Sequence, residues 1–228
     1  MKFTGTLVGT VSGSIGGVTG SHNKGGQYFR RRAIPTNPGS ATQTVVRNLM
    51  ATYSQAWANS LSAAQRAAWD VYAANVAWID SLGNSISLSG QQMYVRTQIA
   101  AVYAELPAIP DAPTNYTLAH MTVPVLAAVA ATSVITVTFD DSDEWANAVG
   151  GGLSIFCSRP QSDGINYFKG PYQYAGTIDG AASPPSSPDT SLSLPFAAAA
   201  GNKVFWQARA INADGRVSGL VRGSFLAS

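Results

Sequence analysis

Cysteine, acidic residues and long apolar runs are all scarce in this 228-residue sequence, and these scarcities exclude several structural features. The single cysteine, Cys157, rules out an intramolecular disulfide and a cysteine-based metal cluster. No apolar run approaches the about 20 residues of a membrane-spanning helix. Thr4 and Gly5 stand where a signal peptide would have its apolar region. We therefore expect no membrane partner and no passage through the secretory pathway.

Charge is scarce as well, and it is unevenly distributed. Charged residues make up 11% of the chain, well below the usual quarter. No acidic residue precedes Asp70, whereas the acids outnumber the bases from Asp70 onward. The basic residues of the acid-free segment are Lys2, Lys24, Arg30, Arg31, Arg32, Arg47 and Arg66. Such a segment suits nucleic acid, a membrane surface or an acidic protein face, including that of a second copy. The low overall charge favours a chain whose surface is covered by neighbours in an assembly.

The stretch from Gly25 to Pro38 concentrates basic and aromatic side chains on extended backbone. Pro35 and Pro38 exclude helix for themselves and disfavour it for the residues before them. We interpret this stretch as a docking arm. Its candidate contact residues, together with one from the helix that follows, are Lys24, Tyr28, Phe29, Arg30, Arg31, Arg32 and Arg47.

The arm is predicted to include a β-hairpin. Residues 15–21 and 27–33 are expected to pair around Asn23-Lys24-Gly25-Gly26, whose Asn and Gly residues tolerate positive φ. A lone hairpin is marginal in water, so we expect the segment to be ordered mainly against a partner. On a strand, Arg30 and Arg32 would share one face, a spacing suited to bidentate carboxylate or phosphate contacts. The alternative is a hydrated strand end with no docking role.

A helical region is predicted from residue 41 to 106. A helix over 42–59 carries an apolar stripe, and Ser62 with Gln65 forms a capping box that opens a second helix. The short connection predicts an antiparallel helix pair. Residues 82–88 are read as a loop or small hairpin, and a third helix starts at Ser89-Gly90 and ends at Pro107. The residues expected in the helical core or at a subunit contact are Val45, Leu49, Tyr53, Trp57, Trp69 and Tyr72.

A proline-rich stretch, 107–113, is predicted to be a stiff linker between domains. Beyond it, strands are expected over 134–139, 153–158, 172–178, 204–211 and 217–225, with an Asp-Gly turn at Asp214-Gly215. Strands separated by turn signals over this length predict an antiparallel β-sandwich. The fold class is therefore α+β multidomain: arm and hairpin at 1–40, helical domain at 41–106, linker, and sandwich at 114–228.

The C-terminal part resembles a fibronectin type III domain. The resemblance rests on the Pro110-Asp111-Ala112-Pro113 entry, on the strand from Val204 to Asn212, and on the turn Asp214-Gly215-Arg216-Val217-Ser218. It implies a module that binds, spaces or decorates and does not catalyse.

The first 110 residues resemble a family of proteins from tailed bacteriophages and prophages. The matching features are Gly-Gly-Gln-Tyr-Phe-Arg-Arg-Arg at 25–32, Pro35-Thr36-Asn37-Pro38, Gln43 with Arg47, Trp57 with Leu61-Ser62, the run from Gln65 to Trp69, Leu82-Gly83 and Leu88-Ser89-Gly90. The resemblance implies a role in the virion. Virion structural proteins combine extended arms with immunoglobulin-like modules, so both halves of the chain agree.

Residues with catalytic or metal-binding chemistry are few. A catalytic triad needs a histidine as its base, and of the two histidines His22 lies in a Gly-rich segment with no carboxylate nearby in sequence, while His120 follows the linker. Cys157 falls in a predicted strand and is read as a small core residue. The acidic run 140–144 lacks the ligand spacing of a calcium loop and is read as a solvated turn. We therefore expect no catalytic, cofactor or metal site.

The sequence leaves several functions open. The preferred one is a non-enzymatic virion protein, namely a capsid decoration (cement) protein that is made in the host cytoplasm and anchored to neighbouring capsid subunits by its arm. Alternatives within the virion are a tail, connector or fibre-attachment component. Binding of nucleic acid through the basic segment is the second class. A third is an adhesin or carbohydrate-binding module using Trp145, Tyr167, Phe168, Tyr172 and Tyr174.

Overall fold

The computed structural model describes residues 2–3, 12–23, 26–34, 36–79 and 85–228. These residues contain three helices and four antiparallel sheets, which confirms a mixed α+β fold. The chain divides into two compact units, Met1–Thr44 and Val45–Ser228, which are described separately.

The first unit contains a four-stranded sheet. Its strands, β1 (Lys2–Phe3), β2 (Gly13–Ile15), β3 (Val18–Asn23) and β4 (Gly26–Arg31), lie in the order β1-β4-β3-β2. The predicted hairpin is confirmed as β3 and β4, paired from Val18↔Arg31 to Asn23↔Gly26. Two details differ from the prediction. Ile15 belongs to a separate strand that turns back at Gly16-Gly17, and the hairpin extends into a larger sheet.

Three helices follow, each close to its predicted position. They are α1 (Ala41–Asn59), α2 (Ala63–Asn75) and α3 (Gly90–Tyr103). The predicted capping box of Ser62 and Gln65 opens α2, and an equivalent box of Ser89 and Gln92, which was not predicted, opens α3. Between α2 and α3, β5 (Trp78–Ile79) pairs with β6 (Ser85–Ile86). The loop or small hairpin expected over 82–88 lies partly outside the described residues, which resume at Ser85.

Helix α3 is the centre of the second unit. Its Met93, Tyr94 and Val95 pack with α2 in one apolar cluster, while Ala100 and Ala101 belong to a second cluster that includes residues of the sandwich. The close helix–helix packing is that of α2 with α3. Helices α1 and α2, which were predicted to form an antiparallel pair, do not pack side by side. Helix α1 meets the others near its C-terminal end, where the Arg66 guanidinium donates to the carbonyls of Trp57 and Ala58.

Seven strands form two antiparallel sheets that enclose one core, the arrangement of a β-sandwich. The strands are β7 (Val125–Val129), β8 (Val134–Thr138), β9 (Gly152–Cys157), β10 (Gln173–Asp179), β11 (Asp189–Ser193), β12 (Lys203–Ile211) and β13 (Val221–Leu226). One sheet has the order β10-β9-β12-β13 and the other β11-β8-β7. Inward side chains of both sheets, such as Ile135, Leu153 and Trp206, share the core. Cys157 lies fully buried among them, as predicted.

The proline-rich stretch 107–113 is bound to the helices by specific hydrogen bonds. The Gln98 amide both accepts from the Ile109 N–H, at 3.1 Å, and donates to the Ile109 carbonyl. The Trp69 indole N–H donates to the Pro110 carbonyl at 2.9 Å. Helix α3 also contacts the sandwich directly, since the Thr97 hydroxyl donates to the Gly215 carbonyl at 3.1 Å. Helices and sandwich therefore form a single compact unit, in which the stretch is part of the packing.

Candidate functional site

One face of the first unit's sheet exposes large apolar side chains beside an arginine. The register places Ile15 opposite Val18, and Val18 opposite Arg31, with Phe29 two residues before Arg31 on the same side. Ile15 is 89% exposed and Val18 46%, and Phe29 and Arg31 are exposed too. We call these four residues the arm face. Soluble proteins rarely leave such a group uncovered unless it binds something.

The opposite face of the sheet is polar. It carries Arg30 and the half-buried Tyr28, together with Thr19, whose hydroxyl lies 2.7 Å from that of Ser14. Arg32 follows the strand with its side chain exposed, while its N–H donates to Gly17. The predicted alternation of Arg30 and Arg31 between the two faces is therefore confirmed.

The other two predicted arm contacts are placed differently. Lys24 lies outside the described residues. Arg47 is exposed on α1, in the second unit. The structure thus brings Tyr28, Phe29 and the arginine triplet onto one strand and its exit.

Helix α1 leaves most of its apolar stripe exposed. None of its residues is buried. Val45 is 52% exposed and Met50 46%, whereas Tyr53 and Trp57 are half-buried and contact the ring of Tyr94 on α3. Val45 and Met50 are therefore not part of the helical core among the described residues of the second unit, and the subunit contact that was the alternative for the stripe stays a prediction.

A groove of about 340 Å³ lies between α1 and α3. Its walls include Met50 and Ser54 from α1, Leu88 from the preceding segment, and Val95 and Ile99 from α3. Its lining is mainly apolar, and it continues the exposed stripe of α1.

Trp69 and Tyr72 are core residues. Trp69 is fully buried, and its ring meets Tyr72 and Tyr94 edge to face at 5.8 and 5.6 Å. The pKa of Tyr72 is raised above its usual value, mainly because the side chain is buried. Tyr94, which the sequence analysis did not single out, is the ring that joins α1 to α2 and α3.

Residues with possible catalytic chemistry serve structural contacts. The buried Asp143 carboxylate accepts from the Thr122 N–H at 2.8 Å and the Trp145 indole N–H at 3.2 Å, and it lies 3.1 Å from His120 Nδ1. Asp140 accepts from Ser142, and these hydrogen bonds lower its pKa. Within the described part of the chain, no group of three His, Cys, Asp or Glu residues could hold a metal ion.

Burial raises the pKa of the Cys157 thiol to about 12. The thiol therefore stays protonated at neutral pH. A protonated, fully buried thiol is a poor nucleophile, in agreement with its core position.

The aromatic residues proposed as a sugar platform separate into two groups. Trp145 is fully buried, so the prediction that it is exposed is wrong. Tyr174 is half-buried and lies apart from the other three, and its hydroxyl donates to the Tyr103 carbonyl at 2.7 Å. The remaining three lie together beside a cavity of about 220 Å³ on the sandwich. The residues lining this cavity include Asn166, Tyr167, Phe168, Tyr172, Phe205 and Arg222. Phe205 and Arg222 come from strands and were not singled out by the sequence pattern.

Among the described residues no helix is both long enough and apolar enough to cross a membrane. No protein-family model, curated protein or solved structure matches this chain.

Proposed function

We propose that this chain is a non-enzymatic structural protein of a bacteriophage particle, and specifically a capsid decoration protein anchored by its N-terminal region. The observation that carries the proposal is the exposure of apolar side chains where the chain also has its basic cluster. Ile15 and Val18 are exposed beside Arg31, and Val45 and Met50 are exposed on α1. Covering these side chains on assembly would remove apolar area from water.

The charge pattern supports an acidic protein partner. The segment before Asp70 holds no carboxylate, and Arg30, Arg31 and Arg32 are all exposed. Guanidinium groups form bidentate hydrogen bonds with carboxylates, and they remain charged at any physiological pH. We therefore propose neighbouring capsid subunits, and further copies of this chain, as the partners of the arm face.

We propose that the sandwich is a fibronectin type III-like module. Its strand order supports this reading, because the fourth strand, β10, pairs with the third, β9, while the fifth, β11, pairs with the second, β8. In immunoglobulin constant-type domains the fourth strand belongs to the other sheet. Such a module would project from the particle or bridge between subunits.

The proposal is tested on purified particles by quantitative mass spectrometry of this chain against the major capsid protein. A copy number comparable to that of the capsid protein supports decoration. A copy number that is a small fraction of that of the capsid protein would indicate the tail, connector or fibre attachment instead. Absence from particles contradicts the proposal.

A triple variant isolates the arm. Changing Arg30, Arg31 and Arg32 to Ala is expected to abolish incorporation into particles while leaving the thermal unfolding of the second unit unchanged. The matched control changes Arg159, Lys169 and Arg222 to Ala, which removes the same charge from exposed positions of the sandwich. Equal incorporation of both variants would contradict a docking role for the arm.

Nucleic-acid binding is the second candidate, because the exposed arginines lie beside the rings of Tyr28 and Phe29. Counterion release predicts that log K falls linearly with log salt, with a slope of about −0.9 per neutralised phosphate on duplex DNA. A filter-binding titration at several salt concentrations measures this slope. Absence of salt-dependent binding would rule the candidate out.

A further inference from the structure

The cavity beside Tyr167 lies on the outer face of the four-stranded sheet. Trp206 points into the sandwich core, so its strand neighbour Phe205 points outward. Ser224 pairs with Phe205, and Arg222 pairs with Gln207 on the same outer face. The floor between them is the backbone of Gly223, where a Cβ atom would come within 2.5 Å of the Trp206 ring. Because Gly223 pairs with Trp206, this Cβ atom would point to the core side of the sheet, so the packing of Trp206 requires a glycine here.

Aromatic rings form one wall of the cavity. Phe168 stacks on Phe205 with an interplanar angle of 17° and meets Tyr172 edge to face at 5.3 Å. The Tyr172 hydroxyl donates to the Phe168 carbonyl at 3.2 Å. Tyr167, by contrast, is 73% exposed and makes none of these ring contacts. The wall is thus held rigidly, while Tyr167 stands at its rim with its ring available.

The segment that carries these rings is tied to the sheet. Lys203 on β12 donates to the Asp163 carbonyl at 2.9 Å and to the Asn166 side-chain oxygen at 3.4 Å. The same ammonium lies 3.7 Å from the Asp163 carboxylate, so its charge is offset. The amide nitrogen of Asn166 remains a potential donor at the cavity.

Arg222 gives the cavity its positive charge. Its side chain is exposed, and it forms no salt bridge with a carboxylate of the described residues. Arg222 and Tyr172 both line the cavity. Burial raises the pKa of Tyr172, and the charge of Arg222 opposes that rise. The cavity therefore combines an aromatic wall with three polar groups, which are the Arg222 guanidinium, the Ser224 hydroxyl and the Asn166 amide.

We propose that this cavity binds a single sugar ring that carries a carboxylate. A pyranose presents polarised C–H bonds on one face, and these suit the electron-rich face of an aromatic ring. Its hydroxyls match Asn166 and Ser224, and its carboxylate matches the fork of Arg222. This binding is independent of the proposed docking arm, because every residue of the site belongs to the sandwich.

The size of the cavity favours one ring over a longer occupant. At about 220 Å³ it is smaller than the roughly 300–1,000 Å³ of sites for drug-sized ligands. A proline-rich peptide also binds aromatic side chains, but it needs an extended groove. The mixed polar and apolar lining of the cavity also suits a sugar better than a purely apolar ligand.

The test is a calorimetric titration of the full chain with D-glucuronate, and with D-glucose as the neutral probe. Glucuronate is expected to bind about tenfold more tightly than glucose, because only it pairs with Arg222. Arg222→Gln should abolish that difference. Tyr167→Ala should weaken both sugars, since it removes the exposed ring. Both side chains are exposed, so the thermal unfolding of the variants should match that of the parent.

Two matched variants serve as controls. Lys169→Gln removes an exposed positive charge from the same segment without changing the lining, and Tyr116→Ala removes a 44% exposed ring elsewhere. Both should bind glucuronate like the parent. Failure of the parent to bind glucuronate overturns the proposal, as does equal binding of the two sugars. Binding of a proline-rich peptide to the cavity in place of glucuronate would also overturn it.

Discussion

Helices α1 and α3 both carry apolar side chains at helical spacing, yet their environments are opposite. Helix α1 has 19 residues and none is buried. Helix α3 has 14, and its buried set includes polar Thr97 and Gln98 as well as apolar Met93 and Ala101. The difference arises because α3 has α2 on one side and the sandwich on the other, whereas α1 meets other helices only through its second half. An apolar stripe therefore indicates where a helix can be buried, and the rest of the chain decides whether it is.

The polar residues of α3 and the arginines of the arm differ in the same way. In α3, Thr97 and Gln98 donate to the carbonyls of Gly215 and Ile109, so their burial leaves those donors satisfied. Arg96 is stacked 4.3 Å from the Trp78 ring and donates to the Ser218 carbonyl. On the arm, by contrast, the arginine side chains are exposed. Polar groups of α3 thus connect the helices to the sandwich, whereas Arg30, Arg31 and Arg32 keep exposed side chains.

The largest loss of stability is expected at the aromatic cluster of Trp69, Tyr72 and Tyr94. Trp69→Ala should lower the free energy of unfolding by about 3–5 kcal/mol, because it empties a fully buried site next to Tyr72 and Tyr94. Denaturant titration followed by circular dichroism measures the loss.

Trp69→Phe separates packing from hydrogen bonding at the same position. It keeps a ring but leaves the Pro110 carbonyl without its indole donor, at a cost of about 1–3 kcal/mol. If Trp69→Ala cost no more than Trp69→Phe, the ring would not be the packing centre that the structure indicates.

A valine pair compares the two helices directly. Val95→Ala on α3 should cost about 2 kcal/mol, since it removes buried methyl groups. Val45→Ala on α1 should change stability by less than about 0.5 kcal/mol, because Val45 is 52% exposed and Ala is the better helix former. Thermal melts of both variants check this difference. Equal losses would mean that the first half of α1 is covered in solution, for example by a second copy.

A glycine pair tests the smaller contact between α3 and the sandwich turn. Gly215 and Gly201 have similar φ values, +89° and +81°, so replacement by Ala imposes a similar backbone strain at both. At Gly215 the new Cβ atom would lie 3.1 Å from Ile109 and 3.3 Å from Thr97, whereas at Gly201 it meets open space. Gly215→Ala should therefore cost about 1 kcal/mol more in chemical unfolding. Equal costs would show that the turn moves freely away from α3.

Local sequence signals predicted much of the secondary structure. The hairpin, the first helix to within one residue and the Ser62 capping box are confirmed, as is the β-rich C-terminal region. These succeed because hairpin turns and caps depend on residues close in sequence. The capping box at Ser89 and Gln92 carried the same signal and could have been recognised.

These local signals could not predict contacts between residues that are far apart in the sequence. The partner of α2, the binding of 107–113 to Gln98 and Trp69, and the burial of Trp145 all depend on residues far apart in the chain. The cavity beside Tyr167 required both the segment near Phe168 and the pairing of β12 with β13. Aromatic composition indicated candidates for it but could not tell exposed rings from buried ones.

By itself, the sequence determined the acid-free basic segment and the positions of caps and turns, and its single cysteine excluded an intramolecular disulfide, since composition and neighbouring residues decide all of these. Only the tertiary structure decided that α3 is buried between α2 and the sandwich, that the arm face and the stripe of α1 stay exposed, and that Phe205 and Arg222 join Tyr167 at one cavity. Burial is a property of the whole packed chain, because an apolar or charged side chain is covered only when a distant segment lies against it.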